Sequence, residues 1–285
     1  MKSSYSAAFM VLLYGKETVD SETLNSIESL SLNNENHLLV IWNNGPKSLM
    51  NHDVEAFERI GFDVEMRETV NNESLSKIYN SFIDDFNSDK YIILDDDSCL
   101  NQKYFNKIFD LNTDEIGVPL ILSNGIPNGP KLNRKLCCET DQVSDKDKFI
   151  GIGSGLVIGQ KIVAKMKRDH QTVFDERFYF YGVDTTFFFR VKLSLLSRKI
   201  KIIPGFEHSL SKLMKESEPV TEFRLKEMSY DIGLRLRYYK PRFSGLFLLL
   251  KESISSTIKL LFNKKSKIIV KYLLKAYVSG KHYRL

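Results

Sequence analysis

The chain alternates short apolar runs with segments whose apolar residues recur at three and four. The runs are AAFMVLLY (7–14), HLLVIW (37–42), FDVEM (62–66), YIIL (91–94) and IGVPLIL (116–122). Between the first four lie SETLNSIESL, HDVEAFERI and ESLSKIYNSFIDDF, which carry the period of an amphipathic helix. Strands alternating with helices of this length predict βαβ units and an α/β fold, a mostly parallel sheet flanked by helices. Ligands of such sheets bind beyond the carboxyl ends of the strands. Those ends carry YGKE, NNGP, TVNNES and DDDS in turn, so four polar tips are expected around one crevice.

The fourth tip is chemically the most informative. YIILDDDSCL passes from a buried-strand pattern directly into Asp95, Asp96 and Asp97, and three adjacent carboxylates need either full solvation or a divalent cation. Residues 123–148 are rich in Asn, Gly, Pro and charge without a sustained period, which predicts a long loop of the kind that shapes a substrate site. In FIGIGSGLVIGQKIV, Gly151, Gly153 and Gly155 allow close backbone approach before a short helix; phosphate binding and a plain strand-to-helix turn are both open. FDERFYFYGVDTTFFFRVKL sets Asp175, Glu176 and Asp184 among aromatics, with helix from Asp184 onward. IKIIPGFEHSLSK then reads as a short β segment with His208 in a polar turn. The aromatics read as core, whereas acids set among them are candidates for a tuned base, since burial raises a carboxylate pKa.

In this order the motifs resemble the family 2 glycosyltransferases with the GT-A fold, particularly the rhamnosyltransferase-like branch that builds bacterial surface polysaccharides. The resemblance spans residues 7–212. NNGP (43–46) is similar to the family's D-N-G-S, Asn72 and Asn80 to its asparagine pair, DDD to its D-x-D, and GIGSG to its glycine loop. FDERFYFYGVD resembles F-D-E-x-F-F-x-Y-x-E-D, and His208 the histidine of the last core strand.

The resemblance implies a GT-A catalytic domain over residues 1–215, with a donor half (1–98) and an acceptor half (99–215). The implied reaction is inverting transfer of a sugar from a nucleotide-diphosphate donor, dTDP-rhamnose or a UDP-hexose, to a lipid-linked or growing polysaccharide acceptor. Implied site residues are Asp97, Asp95 and His208 on Mn²⁺ or Mg²⁺, and Tyr14, Asn43, Asn72, Asp95 and Asp96 on the nucleotide sugar, Asp95 toward the ribose. Gly153, Ser154 and Gly155 form the implied acceptor or phosphate loop, and Asp184 is the implied general base opposite the leaving diphosphate. A helix N-cap role is also open to Asp184, which Thr-Thr follow.

Two residues depart from the family pattern. Val183 stands where a glutamate precedes the base, which keeps open a catalytically silent scaffold that binds nucleotide sugars. Asn43 replaces the aspartate that holds the pyrimidine, though an amide can both accept and donate. A sugar nucleotidyltransferase is a weaker alternative, because LLYGKETVD lacks its Gly-rich basic signature.

Composition adds limits. At 42% hydrophobic the 285 residues are globular in type. Three cysteines, two of them adjacent (Cys137 and Cys138), offer no disulfide framework or metal spacing and fit a reducing compartment. The start runs straight into patterned sequence, so a first strand is expected there in place of a signal peptide. The expected location is cytoplasmic, peripheral on the inner face of the cell membrane.

Charge divides the chain more sharply. Of the net +5, the residues from Leu234 onward contribute +12, thirteen Lys and Arg against Glu252, which leaves −7 before them. Residues 216–285 read as a basic helical extension, and 234–285 as lying on an anionic membrane surface. The longest wholly apolar stretch there, Leu246 to Leu250, falls far short of the roughly 20 residues of a spanning helix. Packing on the catalytic domain or in a homodimer competes with this reading; nucleic acid is disfavoured, since no nucleic-acid-binding pattern is present. Removing residues 240–285 is then expected to release the protein from anionic vesicles.

Overall fold

A nine-stranded sheet organises the first part of the chain. Its strands are β1 (Ala7–Leu13), β2 (His37–Asn43), β3 (Phe62–Glu68), β4 (Lys90–Asp95), β5 (Ser98–Cys99), β6 (Ile116–Ser123), β7 (Ile126–Gly129), β8 (Leu156–Gly159) and β9 (Ile200–His208). The computed structural model describes residues 4–32, 35–209, 218–262 and 264–285. The spatial order is β3-β2-β1-β4-β8-β6-β9-β5, with β7 paired to β6. From β3 to β4 all pairings are parallel. β8 then inserts antiparallel to both β4 and β6, and β9 is parallel to β6, so the expected parallel sheet becomes mixed in its second half.

Every residue of β1 and β2 is buried, which is why both read as unbroken apolar runs: helices cover the two faces. Those helices include α1 (Glu22–Glu28), α2 (Glu55–Arg59), α3 (Leu75–Asp85), α4 (Gln102–Asp110) and α5 (Gln160–His170). Ser21 caps α1 by accepting from the Leu24 N–H at 3.2 Å, and Asn101 caps α4 by accepting from Tyr104 at 3.0 Å. On one face Phe9 stacks on Phe105 of α4 and meets Phe62 edge-on. On the other, Phe82 of α3 meets Tyr91 edge-on at 5.8 Å. The registers bring the strand tips level: Leu12 lies beside Asp95, Leu13 beside Asn43, and Asn43 beside Glu68.

Residues 123–148 are more ordered than the sequence reading predicts. β7 folds back on β6 through Asn124 and Gly125, both at positive φ, and Lys131–Leu132 pairs with Lys135–Leu136 through Asn133 and Arg134, also at positive φ. Two central residues at positive φ are the requirement of a type I′ hairpin turn, and the Asn-Gly step is its sequence signal. Phe149–Ile150 completes this small three-stranded sheet.

The chain divides into two compact units, the first comprising residues Met1–Glu73, Lys77–Val173 and Arg190–Leu210. The second comprises Ser74–Ser76, Phe174–Phe189 and Ser211–Leu285. The expected boundary between residues 215 and 216 lies outside the described residues. Within the second unit, α7 (Glu218–Tyr238), α8 (Arg242–Leu261) and α9 (Val270–Ser279) pack around Leu236, Leu249, Ile268 and Leu273. Arg237 donates to the Tyr277 and Val278 carbonyls at 2.6 and 2.7 Å, neutralising the carboxyl end of α9. No helix among the described residues is long and apolar enough to cross a membrane.

Candidate active site

Asp95 ends β4, Asp97 lies two residues on, and β5 turns back to pair with the end of β9, which sets Ser98 beside His208. His208 is therefore the last residue of a strand, 7% exposed, and not in the polar turn that its sequence neighbours predict. Its Nδ1 lies 3.2 Å from Asp97 Oδ1 and its Nε2 3.9 Å from Asp95 Oδ2. One ligand atom from each of Asp95, Asp97 and His208 falls within 4.8 Å of the others.

The imidazole is held from behind. Ser98, fully buried, places Oγ 3.0 Å from His208 Nδ1 and 3.0 Å from Ser154 Oγ, and Ser154 Oγ accepts from the Asp95 N–H at 3.1 Å. Gly155 makes this approach possible. Its φ is +78°, a Cβ there would stand 2.6 Å from the Phe206 ring, and its N–H donates to the Ile93 carbonyl at 2.7 Å. The glycine loop (Gly153, Ser154, Gly155) thus serves as the backing of the acidic cluster. Gly153 closes that turn by accepting from the Leu156 N–H at 3.0 Å.

Electrostatics separate the three aspartates. Asp96 accepts from Lys16 Nζ at 2.7 Å and from the Tyr14 N–H at 3.3 Å, so its charge is neutralised by the tip of β1. Burial pushes the Asp97 carboxyl above its ordinary range, opposed by the nearby His208, and burial likewise pushes the His208 imidazole down, opposed by Asp97. Two carboxylates and an imidazole form the donor set of a hard or borderline divalent ion. Neighbouring ligand atoms on an octahedral ion stand about 3 Å apart, so ligand atoms lying within 4.8 Å of one another would draw in on binding, and imidazole favours Mn²⁺ over Mg²⁺.

The remaining tips form a hydrogen-bonded wall. Asn43, buried, donates to the Lys47 carbonyl at 2.7 Å and to Glu68 Oε1 at 2.9 Å, while its Oδ1 accepts from the Gly45 N–H at 2.9 Å. Both amide hydrogens are thus engaged. Asn44 donates to Asn72 Oδ1 and the Glu73 carbonyl, and accepts from Thr69 and the Glu73 N–H. Asn72 in turn donates to the Tyr14 hydroxyl at 3.3 Å, leaving the half-exposed Tyr14 ring beside it. Asn80 is buried within α3. Sequence reasoning missed Lys16, Ser98 and Asn44 as site residues, although each lies inside a tip it had singled out.

Asp184 belongs to the second unit, in the first turn of α6 (Val183–Leu193), where the helix dipole favours a negative side chain. The segment leading to it is braced within that unit. Asp175, buried, accepts from Arg177 and from the Tyr239 hydroxyl at 2.6 Å, which ties it down structurally. The Leu75 N–H donates to the Tyr179 carbonyl at 2.9 Å, and Ser76 Oγ to that of Phe178 at 2.6 Å. His282 stacks on Tyr179 with ring centres 5.2 Å apart, and the Arg284 guanidinium covers Tyr179 and Phe180. Gly182 has φ +85°, and a Cβ there would stand 2.1 Å from Asp231 Oδ1. Val183 is buried.

No protein-family model matches the chain, and no curated protein matches it in sequence. Among solved structures of similar fold, that of TarS residues 1–349 from S. aureus gives a TM-score of 0.51 at 11% identity, covering 83% of this chain and 64% of that one. Mannosyltransferase PcManGT from Pyrobaculum calidifontis, in complex with GDP-Man and Mn²⁺, gives 0.50 at 9% identity, covering 81% of this chain and 63% of that one. The chain thus spans less than two thirds of either neighbour. At these identities the likeness establishes the fold alone: a mixed α/β fold, its central sheet flanked by helices, similar to glycosyltransferase GT-A structures.

Proposed function

We propose that the chain is a metal-dependent, inverting glycosyltransferase that moves a sugar from a nucleotide-diphosphate donor to a hydroxyl of a lipid-linked or growing saccharide. The observation that carries this reading is the convergence of Asp95, Asp97 and His208 within 4.8 Å at the strand ends of a GT-A-type sheet. A neighbour of the same fold in complex with GDP-Man and Mn²⁺ supports it.

Asp97, Asp95 and His208 would hold Mn²⁺ or Mg²⁺. When bound, such an ion supplies positive charge to a departing diphosphate. Asp96, already paired with Lys16, keeps the β1 tip in place rather than ligating, and Asp95 also faces the ribose. Tyr14 and Asn72 line the donor side, and Asn43 reads a pyrimidine only through the remaining lone pair of Oδ1, because both its amide hydrogens are engaged. The donor is dTDP-rhamnose or a UDP-hexose. Asp184 takes the proton of the attacking acceptor hydroxyl, and displacement in line with the leaving group inverts the anomeric carbon.

Asp184→Asn is expected to abolish transfer while nucleoside diphosphate still raises the melting temperature in the presence of Mn²⁺. Normal turnover by that variant sinks the assignment of the base. Buried Val183 in place of an acceptor-facing glutamate favours a second reading, a silent scaffold that binds nucleotide sugars. Tight nucleotide binding without transfer or hydrolysis across a donor panel would select it.

A further inference from the structure

Helix α8 presents opposite faces of opposite character. At about 100° per residue, Phe243, Phe247, Leu250, Ile254, Ile258 and Leu261 fall within one sector about 80° wide that runs about 27 Å along the helix. These side chains are exposed: Phe243 is 91%, Phe247 67% and Leu261 78% accessible. Gly245, Leu249 and Ser256 are the buried positions and lie on the far side, against the core that α8 shares with α7 and α9. A contiguous apolar stripe of this length on a surface marks an interaction site. Lys251, Lys259 and Lys264 line the same shallow groove as Phe247, Ile254 and Phe262, and Glu252 is the one acid from Leu234 onward.

We propose that this face of α8 lies in the headgroup region of an anionic bilayer, the apolar stripe entering the acyl boundary and the lysines meeting lipid phosphates. Charge complementarity selects this occupant. A second copy of the chain would set the same lysines against one another, in an interface class from which lysine is depleted. Nucleic acid would satisfy the lysines and leave the stripe in water. An anionic bilayer satisfies both. The contact narrows from the whole of residues 234–285 to one helix face, with α7 and α9 as its platform. The proposal deepens the transferase reading, which calls for a membrane-borne acceptor, but its test needs neither donor nor acceptor.

The full chain is sedimented with vesicles of phosphatidylcholine alone or mixed with phosphatidylglycerol. Wild type is expected to bind the anionic vesicles. Phe247→Asp combined with Ile254→Asp is expected to weaken binding by about tenfold or more without moving the melting temperature, since both residues are exposed. Lys251→Glu with Lys259→Glu should weaken it similarly and flatten its salt dependence. Three results overturn the proposal: no vesicle binding by wild type, undiminished binding by the double aspartate variant, or a dimer in light scattering that Phe247→Asp dissociates.

Discussion

Ser98→Ala tests how the acidic cluster is built. Ser98 touches no ligand in the proposed chemistry, yet its hydroxyl is 3.0 Å from both His208 Nδ1 and Ser154 Oγ. Removing it leaves Asp97 Oδ1, at 3.2 Å, to hold the imidazole Nδ1 alone among the described residues. Groups that orient a metal-ligating histidine typically account for about 10- to 100-fold in affinity. On the logarithmic scale that is about 1.4–2.8 kcal/mol. Two neutral hydrogen bonds are also lost from the fold, at about 1 kcal/mol each, so the apo protein should melt lower by a few degrees.

Mn²⁺ titration by calorimetry, with and without a nucleoside diphosphate, measures the first effect separately from the second. The double variant with His208→Ala completes a cycle: if Ser98 acts through His208, its removal costs little more once the imidazole is gone. Mn²⁺ affinity in Ser98→Ala within twofold of wild type, or full additivity in the cycle, would refute the reasoning.

Two further predictions concern the braced segment of the second unit. Tyr283→Phe removes the hydroxyl that donates to Glu227 Oε1 at 2.6 Å. The carboxylate is 1% exposed, so the loss should destabilise the protein by about 1–3 kcal/mol, read as a lower denaturant midpoint at constant slope. An unchanged midpoint would mean that the buried carboxylate is satisfied otherwise. Gly182→Ala forces a Cβ into Asp231 at a left-handed backbone position, and should cost more than about 1 kcal/mol in the same assay; an equally stable alanine variant would contradict the packing described.

The parallel half of the sheet was legible because β1, β2 and β4 are buried on both faces and read as unbroken apolar runs, β3 alternates apolar and polar residues, and each helix shows one apolar side. The antiparallel insertion of β8 was not: four apolar residues, Leu156–Gly159, carry no signal of direction, and strand order in a sheet is set by packing rather than by sequence position. The Asn124-Gly125 step was readable as a hairpin turn but was hidden in a stretch whose polarity reads as loop. At the site, DDD pointed to a cation by its chemistry and His208 was joined to it only by the family resemblance, whereas the pairing of Asp96 with Lys16 joins residues 80 apart and only the fold brings them together. The same holds for Tyr283 and Glu227, 56 apart.

The allocation of Phe174–Phe189 to the same compact unit as the C-terminal helices has a practical side. A version shortened at residue 240 would lose His282 and Arg284, the partners of Tyr179 and Phe180, together with α8 and α9. Loss of vesicle binding on truncation would therefore be confounded with damage to the segment that carries Asp184. A more soluble preparation for crystallisation or screening is better sought by recolouring the outside of α8 with polar residues at Phe243, Phe247 and Leu261 while every residue of the tail is kept. Within its unit the tail is a keystone of the segment that leads to Asp184.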